Sequence, residues 1–112
     1  MDDQPKHLII AKLNDLLRKQ RIGGQVMVTM GVQTLAPCQL NQLLAEIAQI
    51  DDFSQPGNDP YGEHDFGKID FGGERYFWKI DYYDRRLCLA SPEPADPTVT
   101  QRVMTVMRAD EY

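Results

Sequence analysis

The sequence of 112 residues has no apolar run approaching the roughly 20 residues that a membrane-spanning helix needs. Its first residues, MDDQP, are acidic and polar, whereas a secretory signal begins with basic residues followed by an apolar stretch. We therefore expect neither a membrane partner nor export, and we place the protein in the cytoplasm.

Cysteine and histidine are scarce, with two of each. Neither Cys38 nor Cys88 has a second cysteine at metal-ligand spacing, and in a reducing compartment we predict that both are small buried or half-buried thiols. The sequence also lacks a serine-nucleophile elbow, a phosphate-binding loop and a dinucleotide fingerprint. We therefore predict no catalytic residues, no metal ligands and no cofactor.

Charge is unevenly distributed along a chain whose formal net charge is −5. Residues 1–45 hold five basic and three acidic residues, whereas residues 46–96 hold twelve acidic and five basic residues. An acidic surface repels nucleic-acid backbones and attracts basic protein surfaces. We therefore expect a protein partner with a basic surface and no direct contact with nucleic acid. The alternative is that the acidic residues only keep the protein soluble.

Chain length and hydrophobic periodicity predict one α+β domain over residues 1–112. A first helix is expected over about residues 5–21, with Leu and Ile on one side and polar residues, including Arg18, on the other. A short β-branched run predicts a strand over 25–30. Pro37 begins a second helix that ends near residue 49. Residues 51–65 have no periodicity and predict a loop.

A third helix is predicted over about residues 97–109. Asp96 and Pro97 suit an N-cap and a first helical position, and the following valines fall on one helical face. A strand over 103–107 remains an alternative, because Thr and Val are poor helix formers. Residues 87–90 are a further candidate strand.

The clearest local feature is a β-hairpin over residues 66–71 and 75–83, on which we expect a small antiparallel sheet packed by two or three helices. A Gly-Gly turn at 72–73 sets its register, with Asp70 opposite Arg75 and Gly67 opposite Trp78. The first pair places opposite charges across the ladder, and the second lets an aromatic ring cover a strand glycine.

This register gives the hairpin two different faces. One is apolar and is predicted to build the core: Ile69, Phe71, Tyr76, Trp78, Ile80 and Tyr82. The other is amphipathic: Phe66, Lys68, Asp70, Arg75, Phe77, Lys79, Asp81 and Tyr83. Aromatic residues are enriched at protein interfaces. The second face is therefore a candidate binding patch unless helices also cover it.

Chemically reactive side chains crowd into the loop before the hairpin: Asp59, Glu63, His64 and Asp65. They could hold a divalent cation or form an acid–base centre around His64. However, the other histidine, His7, lies in the predicted first helix, and no nucleophile stands nearby in the sequence. A hydrogen-bond network that orders the loop is the simpler interpretation.

The second half of the chain resembles a small uncharacterised proteobacterial family, a domain of unknown function found on chromosomes, plasmids and integrated elements. The resemblance is close over about residues 50–112 and is carried by residues 58–67 (NDPYGEHDFG), residues 77–84 (FWKIDYYD), Asp96-Pro97, Thr100, Arg102-Val103, Thr105, Met107 and Glu111-Tyr112. The family implies no activity or catalytic residues. It implies a mobile-element setting, in which small acidic proteins often antagonise host defence.

Three functional hypotheses follow. The first is a non-enzymatic acidic protein-binding module, such as an anti-CRISPR or anti-restriction inhibitor that docks on a basic nucleic-acid-binding surface of a host defence complex. The second is a small metal-dependent or acid–base enzyme centred on His64, and the third is a homodimeric scaffold protein. The candidate partner-binding residues are Asp59, Tyr61, Glu63, His64, Asp65, Phe77, Lys79, Asp81, Tyr83, Asp84 and Arg85.

Overall fold

The computed structural model describes residues 4–54, 59 and 61–112, so that residues 55–58 and 60 of the predicted loop lie outside the described part. The elements follow in the order α1 (Lys6–Gln20), β1 (Gly24–Val28), α2 (Met30–Gln33), α3 (Pro37–Ala48), β2 (Phe66–Phe71), β3 (Glu74–Tyr83), β4 (Gln101–Arg108) and a 3₁₀ turn (Ala109–Glu111). No described helix is long and apolar enough to cross a membrane.

The four strands form one sheet in the order β1-β4-β3-β2. The β1–β4 pair is parallel, and the other two pairs are antiparallel. The fold is therefore α+β, as predicted. The sheet is mixed rather than purely antiparallel, because β1 reaches β4 through a crossover instead of a hairpin.

The predicted hairpin is confirmed residue by residue. Gly72 and Gly73 form the turn with positive φ angles, and the ladder pairs Asp70 with Arg75 and Gly67 with Trp78. Arg75 donates to Asp70 at 2.9 Å. The predicted core face is also confirmed, since Tyr76, Trp78 and Ile80 are buried and the other three pack against them.

The predicted third helix over residues 97–109 is wrong, because this segment contains β4. Asp96 caps no helix there; its Oδ1 accepts a hydrogen bond from the Thr98 amide at 2.9 Å in a local turn. Strand β4 lies between β1 and β3, and side chains from both of its faces are buried. Its apolar run therefore lacks the alternation that identifies a half-exposed strand.

The helices pack on one face of the sheet. Leu17 of α1 and Leu43 and Ile47 of α3 join Trp78 and Met104 in the buried core. Helices α1 and α3 begin and end within one residue of the predicted bounds.

Arg18 was predicted to lie on the polar side of α1, and this is wrong, because its side chain is buried. Its guanidinium donates to the carbonyls of Ile47 and Ile50, both at 2.8 Å, and to Asp15 at 2.9 Å. It therefore satisfies carbonyls at the C-terminal end of α3 that have no partner within the helix.

Two smaller predictions are also corrected. Cys38 and Cys88 are free and exposed rather than buried, because Cys38 lies on the outer side of α3 near its start and Cys88 lies in a surface loop. Residues 87–90 do not form the candidate strand; only Ala90 pairs with Tyr83, in an isolated β-bridge. The segment instead forms a loop that is held by Asp84.

Candidate functional site

The face of the sheet opposite the helices carries the amphipathic side of the hairpin. Strand alternation and register place on it Phe66, Lys68, Asp70, Arg75, Phe77, Lys79, Asp81, Tyr83, Gln101, Val103, Thr105, Met107, Gln25 and Met27. We call this set the outer face. The side chains of Lys79 and Asp81 keep 39% and 38% of their surface exposed, and Met27 is 56% exposed. The outer face is therefore accessible to solvent along β1 and β3.

An aromatic cluster borders the outer face where the chain ends. The ring of Tyr112 lies 5.8 Å from that of Phe66 and 5.3 Å from that of Phe77, both edge-on, and these two phenylalanines are 5.5 Å apart. Tyr112 itself is 73% exposed. Phe66 was predicted to lie on the amphipathic face, whereas Tyr112 is not among the predicted binding residues, because the 3₁₀ turn after β4 brings it onto the hairpin.

Two adjoining grooves cross this region. One has a volume of about 580 Å³ and is lined by Tyr61, Asp65, Phe66, Phe77, Lys79, Ile80, Asp81 and Tyr112. The other has a volume of about 430 Å³ and is lined by Asp65, Ile80, Asp81, Tyr82, Tyr83, Cys88, Leu89 and Ala90. They adjoin at Asp65, Ile80 and Asp81, which line both, and we call the two grooves together the trough. We call the first groove the aromatic groove.

The trough exists because the two hairpin strands differ in length. β2 begins at Phe66, opposite Lys79, so β3 continues for four residues beyond its partner. The Asp65 carbonyl accepts a hydrogen bond from the Ile80 amide at 2.8 Å, and the Ser91 amide donates to the Tyr82 carbonyl at 3.0 Å. The edge of β3 is thus closed by two loops, and the trough lies between them.

Asp65 is the most perturbed carboxyl group in the trough. Its Oδ1 is buried and has no hydrogen-bond partner among the described residues. Burial raises the pKa of Asp65 to about 6, and the neighbouring charges of Glu63, Asp59 and Asp81 act in the same direction. Asp81, by contrast, pairs with Lys79 at 3.2 Å. Asp65 therefore has no cation to balance its charge within the described chain.

His64 forms part of the network that orders the loop. Its Nδ1 lies 2.9 Å from Asp15 Oδ1, its ring stacks on Phe53 with centroids 4.0 Å apart, and its amide donates to Asp59 Oδ1 at 2.7 Å. Both His64 and Asp59 have positive φ angles. The side chains of these two predicted site residues are thus engaged in holding the loop against α1. No three described His, Cys, Asp or Glu side chains converge in a way that could hold a metal ion.

A second polar network lies beneath the trough. The Asn14 side-chain amide donates to the Tyr82 hydroxyl at 2.8 Å and to the Glu63 carbonyl at 2.9 Å. The Tyr82 hydroxyl in turn donates to Glu63 Oε1 at 2.9 Å, and burial raises the pKa of this hydroxyl, which keeps it protonated. Arg102 donates to Asn14 Oδ1 at 3.0 Å. Glu63 is therefore a support for the trough floor.

The remaining predicted residues divide between the trough and its rim. Asp84 Oδ1 accepts hydrogen bonds from the amides of Arg86 and Cys88, and these bonds lower the pKa of Asp84. Arg85 is exposed in the same loop. The trough itself brings together six of the predicted residues: Tyr61, Asp65, Phe77, Lys79, Asp81 and Tyr83.

The structure defines a two-layer α+β domain whose sheet is packed by helices on one face and carries a solvent-accessible trough on the other. Residues 28–111 match a family described as a protein of unknown function (DUF3768), and the chain belongs to this family. The predicted resemblance to an uncharacterised family is thereby confirmed. No curated protein and no solved structure matches the chain.

Proposed function

We propose that this protein is a non-enzymatic protein-binding module that docks on a basic partner through the trough and the adjoining outer face. The observation that carries the proposal is the trough itself, in which aromatic rings and carboxylates stay accessible on the face opposite the helices. A sheet face exposed only to water is usually polar. Tyrosine and phenylalanine concentrated at one accessible site are typical of an interface.

The charge of the site favours a basic partner. Asp81 and Lys79 neutralise each other, which leaves Asp65 as an uncompensated carboxylate in the trough. The surrounding segment of residues 46–96 is strongly acidic. Complementary charge would speed association and select against acidic partners.

The enzyme alternative has less support. His64, its proposed centre, is positioned by Asp15 and Phe53, and its other ring nitrogen lies 3.8 Å from Asp59. These contacts suit a side chain that fixes the loop. The finer form of the binding proposal, an anti-CRISPR or anti-restriction inhibitor of a nucleic-acid-binding defence complex, rests on the resemblance to proteins from mobile elements.

The test compares two charge reversals in affinity capture from a host lysate. Asp81→Lys inverts the charge within the trough, whereas Asp51→Lys makes the same change on the helix side of the domain, at an exposed residue that also forms an ion pair. We expect a basic protein to be captured by the wild type and by Asp51→Lys but lost with Asp81→Lys, at unchanged thermal stability of both variants. Equal capture by all three proteins, or equal loss from both variants, would contradict the proposal.

A further inference from the structure

We propose that the aromatic groove binds one arginine side chain of the partner. The guanidinium of this arginine would lie between the carboxylate of Asp65 and the exposed tyrosine rings. This inference rests on the proposed function and specifies which chemical group of the partner the trough recognises. The groove volume of about 580 Å³ falls within the range of sites that enclose small ligands.

The first line of support is the unpaired state of Asp65. The neighbouring carboxylates all have internal partners: Glu63 accepts from Tyr82, Asp59 accepts from the His64 amide, and Asp81 pairs with Lys79. The Oδ1 of Asp65 has none among the described residues. Asp65 as a whole is only half-buried and lines the groove, so a cationic donor from outside the chain can contact its accessible part and offset the cost of holding this carboxylate without a cation.

The second line of support is independent of charge. Tyr61 and Tyr112 both line the groove and are 74% and 73% exposed, although large aromatic side chains are usually shielded from water. Tyr112 lies edge-on against Phe66 and Phe77, which place its ring beside the groove. Aromatic rings beside a carboxylate form a site for a cation, because the ring faces are electron-rich.

Both observations favour arginine over lysine. A guanidinium is flat, stacks on aromatic rings and is more weakly hydrated than an ammonium group, so it enters a half-buried groove at lower cost. It can also contact Asp65 and a ring at the same time. Arginine is moreover the basic residue that protein interfaces prefer.

The direct test is a titration of the isotope-labelled full-length protein by NMR at pH 7.5, where Asp65 is ionised. The probes are Nα-acetylargininamide, its neutral citrulline analogue and Nα-acetyllysinamide. We expect saturable shifts of the amide signals of Asp65, Lys79 and Tyr112 with the arginine probe. Loss of one charge-assisted contact should weaken binding about tenfold for the citrulline analogue. Equal shifts with citrulline or lysine, or shifts confined to other residues, would overturn the inference.

Variants locate the site. Asp65→Asn should weaken binding of the arginine probe about tenfold, whereas Asp70→Asn, which removes a carboxylate outside the groove, should leave it unchanged. Tyr61→Ala alters an exposed side chain and therefore tests the aromatic contribution without a risk to folding. We expect it to weaken binding severalfold. Wild-type affinity in both groove variants would refute the site.

The same variants separate this inference from the proposed function. If Asp65→Asn retains capture of the basic partner while Asp81→Lys loses it, the result supports the proposed binding function and contradicts the proposed arginine site. If the arginine probe binds in the groove but Asp81→Lys still captures the partner normally, the groove recognises guanidinium groups and the proposed docking mode fails.

Discussion

The indole ring of Trp78 fills the space that a side chain at Gly67 would need. A Cβ atom built on Gly67 would lie 2.5 Å from Trp78 Nε1 and 2.6 Å from two ring carbons. The two residues are directly opposite each other in the β2–β3 ladder, and Trp78 is fully buried. A glycine at this one position therefore allows the largest side chain of the core to lie across the neighbouring strand.

Gly67→Ala should consequently destabilise the domain by about 1–3 kcal/mol, which is typical of an overpacked core. Urea unfolding followed by the fluorescence of Trp78, the only tryptophan, measures the change. Gly31→Ala is the comparison, because the atoms nearest its Cβ belong to the exposed side chains of Glu111 and Arg108. It disturbs the exposed hydrogen bonds that Glu111 accepts from Thr29 and Gly31, so we expect a loss of no more than about 1 kcal/mol. Similar losses in both variants would show that the Trp78 contact is not the cause.

Arg18 joins three parts of the fold, and its removal should be the most damaging of the single changes considered. Arg18→Ala removes the side-chain donor of the Ile47 and Ile50 carbonyls, and it also removes a guanidinium that lies 5.3 Å from the ring centroids of both Phe53 and Trp78. We expect a loss of about 3–5 kcal/mol in the free energy of unfolding.

The adjacent residue provides the control for this prediction. Lys19 also donates to a carbonyl of α3, that of Ala48, and pairs with Asp51, but both of these contacts are exposed. Lys19→Ala should therefore cost less than about 1 kcal/mol. The prediction for Arg18 fails if chemical denaturation gives equal losses for the two alanine variants.

Local patterns in the sequence were sufficient to predict the hairpin and the helices α1 and α3. The Asp70–Arg75 pair and the Gly67–Trp78 pair each define the register within a few residues of the turn. The strand β4 was predicted only as an alternative to a helix, because residues on both of its faces are buried and the alternating pattern of a half-exposed strand is missing. Burial of Arg18 likewise depends on where α3 ends.

The trough was only partly predictable for the same reason. Its strand residues Phe77, Lys79 and Asp81 follow from the register. Tyr112 is brought to the trough by the turn after β4, and Leu89 by the loop that bridges to Tyr83. These are tertiary contacts between distant segments, which a pattern within one segment does not encode.

Tyr82→Phe tests the network beneath the trough. The change removes the donor to Glu63 Oε1 and the acceptor for the Asn14 amide, so we expect a loss of about 1–2 kcal/mol. A double-mutant cycle with Asn14→Ala should show that the two effects are not additive, since the groups share a hydrogen bond. Tyr83→Phe is the matched control, because that hydroxyl has no hydrogen bond among the described residues. Additive effects would argue against a connected network.

Asp65→Asn should stabilise the protein at neutral pH and change how its stability depends on pH. The pKa of Asp65 is raised from 3.8 to about 6 on folding, so the folded state binds the proton more tightly than the unfolded state does. Protonated Asp65 therefore contributes fully to the stability of the wild type below about pH 4, and this contribution is lost as the pH rises through about 6. The full shift corresponds to about 3 kcal/mol, and solvent screening of this half-buried group reduces the expected gain to about 1 kcal/mol.

Urea unfolding at pH 4, 5, 6 and 7 measures this difference between the wild type and Asp65→Asn. The gain should be near zero at the lowest pH and reach a plateau above about pH 6, because asparagine carries no charge to desolvate. Asp70→Asn should behave in the opposite sense, since Arg75 lowers the pKa of Asp70 and the exposed ion pair slightly favours the charged form. If Asp65→Asn gave the same difference at all four pH values, the carboxyl group would not be the source of the effect, and Asp65 would not be the uncompensated charge in the trough.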